Sequence, residues 1–537
     1  MNQALLRVTL GILGMSAALA CAASRTDGFD PANATIEDLR AALDSNRVTS
    51  EQLVRYYTGR IERLDKRGPR INALITLNPN ALREARRLDA ASDGRPRAPL
   101  YGIPFIVKDN YDTAGIATSG GSAALVHSIP STDAFVVRRL LDQGAILIGK
   151  ANMSELAASY GRLSYSSAGG LTLNPYDTAR NASGSSSGSA AAVAADFAPF
   201  ALGTDTSGSI RGPASVTGLV GLHPTLGLLS RSGIIPASLT FDTPGALTRT
   251  VEDQAIVLDA LAGLDQADAA TLRQPADIGR YRDALRQSRS DLRGAKLGIV
   301  GNFRGGNPEV DGVDNSAADR LRSLGAVLVP VTLPEEFERL WNAVLDPVSE
   351  AEFKPQFERY LRALPPGQPK TLAELIGISA SPGMASSATP INPARLAALR
   401  QADTTQLTDS AAYIRILTDV IPALRLALEN LMSSRGLDAL AFATMSCPAS
   451  PRFDRADPTY VCRSEDPYRA SYVAAAVGFP EISVPAARIS HDLPVGYSFL
   501  GTPFTERRLL ALAAAFQNAR PRFPPPRMSP EQTGESR

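Results

Sequence analysis

The stretch 181–214 constrains the fold of this 537-residue chain more than any other part of the sequence. Residues 181–189 are almost all Ser and Gly, residues 190–195 are small and apolar, and residues 202–213 return to Gly, Ser and Thr. A flexible linker does not alternate with apolar segments that need a core, whereas Gly-rich loops in packed regions let backbone N–H groups approach a ligand. The stretch therefore predicts two ligand-facing loops around a tightly packed helix.

The composition and charge of the chain exclude several classes of protein. Hydrophobic residues make up 44% and charged residues 20% of the chain, which is typical of a globular protein. The net charge of +1 creates no field that would recruit nucleic acid. Beyond the N-terminal segment, no apolar run approaches the ~20 residues of a membrane span. With three histidines and three cysteines in the chain, we expect no metal site, and we expect no cofactor.

The N-terminus has the pattern of a targeting segment. Arg7 is followed by the apolar run 8–19, and residues 18–20 (Ala-Leu-Ala) match a small-x-small cleavage site. We therefore predict a signal peptide over residues 1–23 and an exported protein, periplasmic or secreted. A lipid anchor at Cys21, which cleavage after residue 20 would leave first, and a buried N-terminal helix are the alternatives.

Export changes how the cysteines are interpreted. Apart from the one in the targeting segment, only Cys447 and Cys462 remain. In an oxidising compartment such a pair is typical of a disulfide, so we predict that they are bonded. Two buried free thiols are the alternative.

Strands and helices alternate along the first half of the chain. Residues 103–107 (IPFIV) predict a buried strand, residues 133–143 a helix and residues 145–148 the next strand. Such alternation favours parallel pairing through right-handed crossovers. We expect Lys150 and Glu155, which follow the second strand, to be exposed or ion-paired.

The same pattern continues towards the C-terminus, and further strands are predicted at residues 219–222, 226–229, 296–300, 326–331, 437–442, 481–484 and 496–500. We predict a single large α/β/α domain over residues 24–520, with a central mixed, mostly parallel twisted sheet covered by helices on both faces. The Pro-rich tail 521–537 is predicted to be disordered.

A serine becomes a strong nucleophile only when a base takes its proton, and three arrangements could supply that base. The motif G-x-S-x-G at residues 184–188, with His491 downstream, matches an α/β-hydrolase, but the polar residues 174–183 do not predict the strand that such an elbow needs. No lysine follows a serine by three positions, which excludes a Ser-x-x-Lys dyad. The third base is Lys108, at the end of an apolar strand, where desolvation would lower its pKa from about 10.4. A lysine that extends to solvent is the alternative.

Several motifs occur in the same order as in a known enzyme family. These are Gly102-Ile103-Pro104 with Val107-Lys108-Asp109, Gly184 to Ala190, Gly203 to Arg211, Gly221 to Thr225, Phe479 to Pro485, and Leu493 to Gly496. Together they resemble the amidase signature family over nearly all of the exported chain. Within it, the chain most resembles bacterial peptide amidases and related exported amidases. Ser183, Ser187 and Ser207 depart from the glycines common in the family, which bears on the geometry of the loops.

The resemblance implies a Ser–Ser–Lys triad. Ser209 would be the nucleophile, Ser185 the bridging serine on a cis peptide bond, and Lys108 the base. The oxyanion hole would consist of the backbone N–H groups of Thr206, Ser207, Gly208 and Ser209. Supporting roles fall to Ser186, which would reinforce the network or fill space, and to Asp205 and Arg211, which would hold the loop together.

The function implied is that of an exported amidase that hydrolyses a carboxamide or small acyl-amide C–N bond through an acyl-enzyme. Its substrate would be a small-molecule or peptide amide, with C-terminal peptide amides as one candidate. Two alternatives stay open: a periplasmic protein whose Ser/Gly loops bind a small ligand, and an amidotransferase-type subunit that transfers ammonia. The sequence leaves the oligomeric state and the acyl and amine preference open.

Overall fold

A computed structural model describes residues 29–91 and 97–528. The predicted signal peptide, including Cys21, lies outside the described residues, as does the end of the predicted tail. Residues 521–528 of that tail are described, and there the Tyr176 hydroxyl donates to the Pro524 carbonyl at 3.0 Å. Within the described ranges, no helix has the length and apolar character needed to cross a membrane.

A sheet of eleven strands forms the centre of the described part of the chain. Its strands, in spatial order, are β1 (Leu74–Leu77), β3 (Ile146–Ala151), β2 (Pro104–Lys108), β6 (Phe200–Asp205), β8 (Thr243–Thr248), β7 (Val220–His223), β12 (Glu481–Arg488), β13 (Pro494–Leu500), β11 (Ala439–Ala443), β9 (Lys296–Val300) and β10 (Val327–Val331). A separate hairpin consists of β4 (Tyr165–Ser166) and β5 (Gly170–Leu171).

The predicted single α/β domain with a mixed sheet between helices is confirmed. Parallel pairing holds in two runs, β3-β2-β6 and β11-β9-β10. The other six neighbouring pairs of the sheet are antiparallel. The first parallel run carries the site described below.

One predicted strand is wrong, and three strands of the large sheet were not predicted. Residues 226–229 form a turn, because Gly227 has φ +89° and lies against the Ala270 backbone. Strands β1, β6 and β8 were missed, and so was the separate hairpin of β4 and β5. The segment of β8, residues 243–248, combines Pro and Gly with short side chains, and only its antiparallel neighbours β6 and β7 select the extended state.

The α-helices surround this sheet. They are α1 (Ile36–Asp44), α2 (Ser50–Leu64), α3 (Ala81–Ala90), α4 (Phe135–Asp142), α5 (Ser187–Ala194), α6 (Arg211–Val216), α7 (Val251–Leu261), α8 (Tyr281–Arg286), α9 (Pro308–Ser323), α10 (Asp346–Ala363), α11 (Leu372–Ser379), α12 (Pro382–Ala385), α13 (Pro393–Thr404), α14 (Ala411–Arg415), α15 (Ile421–Ser434), α16 (Arg469–Val477) and α17 (Glu506–Asn518). All residues of β2, β3, β6 and β8 are buried, so both faces of the sheet are covered there.

The predicted packed helix within the Ser/Gly stretch is α5. All of its residues are buried, and it contacts β2, β3 and β6. A Cβ atom at Gly188 would overlap the carbonyl oxygens of Ala73 and Asn152, so only glycine permits this close approach. The small side chains of α5 therefore let the loop that precedes it reach the edge of the sheet.

The expectation that Lys150 and Glu155 are exposed is wrong, because both are buried. Strand β3 continues past the predicted end at residue 148 and carries Lys150 into the core. Its ammonium donates to the Tyr111 carbonyl at 2.6 Å and lies 3.7 Å from an Asp109 carboxylate oxygen. The alternative expectation of an ion pair therefore holds for Lys150. The Glu155 carboxylate accepts from the Ser167 N–H at 3.0 Å, and burial raises its pKa.

The predicted disulfide between Cys447 and Cys462 is confirmed, with the two Cα atoms 5.6 Å apart. The loop that it closes is attached to the segment preceding the first Ser/Gly loop. The Asn181 amide donates to the Ser450 hydroxyl at 2.6 Å and to the Pro451 carbonyl at 3.1 Å. The disulfide loop thus supports the chain a few residues before Ser185.

Candidate active site

Three elements bring polar groups to one edge of the sheet. Strands β2 and β6 are parallel neighbours, with Val107 opposite Leu202, so their C-terminal ends lie side by side. Lys108 ends β2, and residues 206–210 form the loop that follows β6. Helix α5 begins at Ser187 against the same two strands. The edge where parallel strands end is a common position for ligand sites in α/β folds.

Lys108 lies fully buried at the centre of this edge. Its Nζ is 2.8 Å from the Ser185 hydroxyl oxygen. It is also 2.8 Å from the Thr204 hydroxyl oxygen and 3.3 Å from the Thr204 carbonyl oxygen. These contacts exclude the alternative of a lysine that extends to solvent.

The environment of Lys108 favours the neutral amine. Burial lowers its pKa from the usual 10.5 to about 7, although the negative charges of Asp205 and Asp242 act in the opposite direction. Desolvation is the larger effect because no carboxylate forms an ion pair with Nζ among the described residues. A large fraction of Lys108 can therefore accept a proton near neutral pH.

The two candidate serines approach each other through the backbone. The Gly184–Ser185 peptide bond is cis. The Ser186 N–H donates to the Ser209 carbonyl at 3.2 Å, which places the loop after β6 beside the bridging serine. Ser185 is buried and Ser209 is partly exposed. Among the hydrogen bonds of the described residues, none joins the two serine hydroxyls, so the structure records the Lys108–Ser185 contact and the adjacency of Ser209.

The predicted oxyanion hole needs one correction. The Gly208 N–H donates to a carboxylate oxygen of Asp205 at 2.6 Å and is not available to a substrate. Within the described chain, no hydrogen bond is donated by the N–H groups of Thr206, Ser207 or Ser209. Asp205 takes the Gly208 N–H because a short acidic side chain readily bonds the backbone of the turn that follows it. Three of the four predicted donors therefore remain.

Asp205 and Arg211 bond to each other in this loop, and Glu481 completes the group. The Arg211 guanidinium donates to Asp205 at 2.9 and 3.0 Å and to Glu481 at 2.6 Å, and all three residues are fully buried. Burial by itself raises the pKa of Asp205, but Arg211 and the adjacent His223 hold it well below its usual value. Asp205 is thus an anion that organises the loop.

Of the two roles predicted for Ser186, to reinforce the hydrogen-bond network or to fill space, the structure shows the first. Its hydroxyl donates to the Thr204 carbonyl at 3.1 Å and accepts from the Thr204 N–H at 3.2 Å. The residue after the bridging serine is therefore fixed to Thr204, the second-to-last residue of β6. His491, the base in the α/β-hydrolase alternative, is exposed, whereas Ser185 is buried against Lys108, so that alternative is wrong.

Four residues at or near the site were missed by sequence reasoning: Thr204, Asn110, Asp242 and Glu481. Thr204 lies inside the motif 203–211 and Asn110 directly follows the motif 107–109, so these positions were a usable signal. The Asp242 carboxylate accepts from the Thr206 hydroxyl at 2.5 Å, and burial raises its pKa to about 6. Asp242 carries no local signal, whereas Glu481 lies inside the motif 479–485, although its partner Arg211 is 270 residues away. Asn110, Thr204 and Asp242 line a small cavity beside Lys108.

Comparisons with known proteins give the family of this chain and structures that share its fold. The model of the Amidase family matches residues 52–510. Over 325 residues, the chain is 44% identical to a glutamyl-tRNA(Gln) amidotransferase subunit of Nitratidesulfovibrio vulgaris, and the match covers 60% of this chain and 64% of that relative. The chain is 34% identical to a probable amidase of Arabidopsis thaliana over 91% of each chain. The peptide amidase of Stenotrophomonas maltophilia superposes with a TM-score of 0.80 at 38% identity, covering 91% of this chain and 98% of that one.

The fold and these matches define the class of protein, an enzyme that hydrolyses amide C–N bonds. The chain belongs to the Amidase family, which is the amidase signature family that its motifs resemble. This membership decides against the alternative of a binding protein without catalysis.

Proposed function

We propose that this enzyme hydrolyses a carboxamide or small acyl amide through a Ser–Ser–Lys triad, with Ser209 as nucleophile, Ser185 as bridge and Lys108 as base. One observation carries the proposal: the fully buried Lys108 Nζ lies 2.8 Å from the Ser185 hydroxyl oxygen. The lowered pKa of Lys108, about 7, supports it, because a base must be neutral to accept a proton.

In the first half of the reaction, the Ser209 oxygen attacks the amide carbonyl carbon. Its proton passes to Ser185, whose own proton passes to neutral Lys108. The proton then returns along the same path to the leaving nitrogen as the C–N bond breaks, which releases ammonia or an amine and leaves an acyl ester on Ser209. Water, activated by the same path, cleaves this ester and restores the enzyme. Catalytic hydrogen bonds often shorten only when substrate binds, and we expect the Ser185–Ser209 bond to form at that stage.

The negative charge that develops on the carbonyl oxygen needs donors aimed at it. The N–H groups of Thr206, Ser207 and Ser209 are the candidates, since Asp205 occupies that of Gly208. One such donor is worth about 2.7–4 kcal/mol in other hydrolases. In this proposal Asp205, Arg211 and Glu481 act indirectly, by keeping the loop after β6 in one conformation.

For the substrate we propose a peptide amide that is cleaved at its C-terminal carboxamide. The support is the similarity to the peptide amidase of Stenotrophomonas maltophilia, which extends over nearly the whole of both chains. We also propose that the enzyme is exported, on the basis of the predicted signal peptide and the disulfide between Cys447 and Cys462.

A second candidate function is that of an amidotransferase-type subunit that passes ammonia to a partner. The 44% identity to a glutamyl-tRNA(Gln) amidotransferase subunit favours it. The two functions differ in what the chain does alone. A peptide amidase releases ammonia from peptide amides without a partner, whereas glutaminase activity that depends on an added partner would support the second candidate.

The test combines turnover of an N-acylated dipeptide amide, followed by ammonia release, with labelling by a fluorophosphonate. We expect S209A to abolish labelling, and K108A and S185A to reduce turnover by ~10³-fold or more while the fold is retained. S187A is the matched control, because the Ser187 hydroxyl is buried in the same stretch and has no hydrogen-bond partner there. Turnover by K108A close to that of S187A would refute the triad.

A further inference from the structure

Thr204 presents two oxygen atoms to the base. Its hydroxyl oxygen is 2.8 Å and its carbonyl oxygen 3.3 Å from Lys108 Nζ, and the only other hydrogen-bond partner of Nζ among the described residues is Ser185. A neutral primary amine has two N–H groups and one lone pair. If the two N–H groups donate to Thr204, the direction left for the lone pair is towards the Ser185 hydroxyl.

We propose that Thr204 is a positioning residue that aims the lone pair of neutral Lys108 at Ser185, and that Asn110 holds the Thr204 hydroxyl in the orientation this requires. This inference rests on the proposed function, since it assumes that Lys108 is the base. It assigns a task to two residues that do not touch the nucleophile.

Asn110 fixes the acceptor role of the Thr204 hydroxyl. The Asn110 amide donates to the Thr204 hydroxyl oxygen at 3.1 Å, and both side chains are almost completely buried. With donors from Asn110 and Lys108, both lone pairs of that oxygen are occupied. The hydroxyl oxygen therefore faces Lys108 as an acceptor and does not compete with Ser185 for the lone pair of the amine.

The carbonyl of Thr204 is held from the other side. Ser186 bonds both the N–H and the carbonyl of Thr204, and β8 pairs with the same residue through Pro244. Because Ser186 follows the bridging serine directly, the acceptors of the base and the hydroxyl that it deprotonates are parts of one connected network. The oxygens of Thr204 cannot shift without moving Ser186.

The arrangement serves both protonation states of Lys108. When Lys108 gains the proton, its third N–H points at the Ser185 oxygen, and its contacts with Thr204 are unchanged. Two charged groups act on the ammonium from the neighbouring elements: Asp205 at the end of β6 and Asp242 before β8, both of which favour the charged form. Thr204 adds hydrogen bonds that favour the same form, so its removal lowers the pKa of Lys108.

The experiment measures the rate of fluorophosphonate labelling and of peptide-amide turnover against pH in T204V, T204S and N110A. Each rate falls below a certain pH, which we call the acidic limb of its pH profile, and is constant above it, which we call the plateau. We expect T204V to lower both plateau rates by about 10- to 100-fold, because the base is misaligned. The acidic limb of T204V moves to lower pH, and T204S restores both the plateau rates and the position of the limb. N110A, which frees the Thr204 hydroxyl to rotate, should lower both rates by about threefold or more.

T248V provides the matched control. Thr248 is equally buried on β8, where it pairs with Phe200 at the end of β6 away from Lys108, and its hydroxyl bonds the Thr250 carbonyl. T248V should change neither the plateau nor the limb. A T204V variant with an unchanged plateau and limb, or a T204S variant as impaired as T204V, overturns the inference. Should T204V unfold, an N110A variant with wild-type rates overturns it instead. Activity in K108A would refute the triad itself, whereas an inactive K108A with a fully active T204V refutes only the role of Thr204.

Discussion

Arg211 and Glu481 lie 270 residues apart in the chain, and the guanidinium of one donates to the carboxylate of the other at 2.6 Å with neither side chain exposed to solvent. The same guanidinium bonds Asp205, which in turn accepts the N–H groups of Gly208 and Ile210. One cation is therefore shared by two buried carboxyl groups and links strand β12 to the loop that carries Ser209.

Removal of this cation should destabilise the protein strongly. We expect R211A to lose about 3–5 kcal/mol of unfolding free energy, because two buried carboxylates lose their shared partner. R211K should also be impaired, since an ammonium cannot form the bidentate contact with Asp205. Denaturant unfolding followed by circular dichroism measures both. R322A, which removes the solvent-exposed ion pair with Asp319, is the control and should unfold like the wild type. Equal stability of R211A and R322A would contradict the structural role.

The rate of the reaction should depend on pH with an acidic limb near pH 7. Lys108 acts as a base only when neutral, and its pKa is about 7, so kcat/KM falls tenfold for each pH unit below that value and levels off above it. The limb should move to lower pH in D242N, because the loss of that negative charge disfavours protonated Lys108. A profile of kcat/KM from pH 5 to 9 measures both effects. A limb below pH 5 in the wild type would be inconsistent with Lys108 as the base.

A methyl group at position 188 should not fit. In G188A the new Cβ would overlap the carbonyl oxygens of Ala73 and Asn152, so α5 must move away from β3 or the enzyme must lose about 1–3 kcal/mol of stability. Thermal unfolding and labelling of Ser209 report the two outcomes. G312A is the control, because Gly312 is exposed in α9 with no atom within 4 Å of the added Cβ. There the same change should raise stability by about 0.5–1 kcal/mol through helix propensity. A stable and active G188A would show that α5 has more room than the structure gives it.

Loss of the disulfide should destabilise the loop 447–462. The bond joins residues 15 positions apart, and a loop of this length contributes about 3 kcal/mol in the chain-entropy account. We expect C447S/C462S to unfold at lower temperature and to lose part of its activity, because the loop bonds Asn181 just before the bridging serine. Calorimetry with and without a reductant tests this in the wild type. The double mutant should not respond to the reductant, and an unaffected wild type would mean that the bond carries little of the stability.

The sequence by itself determined the family, the fold class, the disulfide and three of the residues at the sheet edge: Lys108, Ser185 and Ser209. Lys108 could be found because it ends an apolar strand, where desolvation favours the neutral amine, and because it lies in one of the family motifs; Ser185 and Ser209 could be found because long ordered motifs contain them. These signals are local, so they can be recognised in the sequence without knowing which strands pair.

Tertiary structure alone decided which atoms share hydrogen bonds. Glu481 reaches Arg211 only because β12 pairs with β7 in the same sheet. Lys150 is buried because β3 runs further than its apolar residues indicate. Burial, strand partners and the competition among donors for one acceptor depend on distant parts of the chain, and no local pattern contains them.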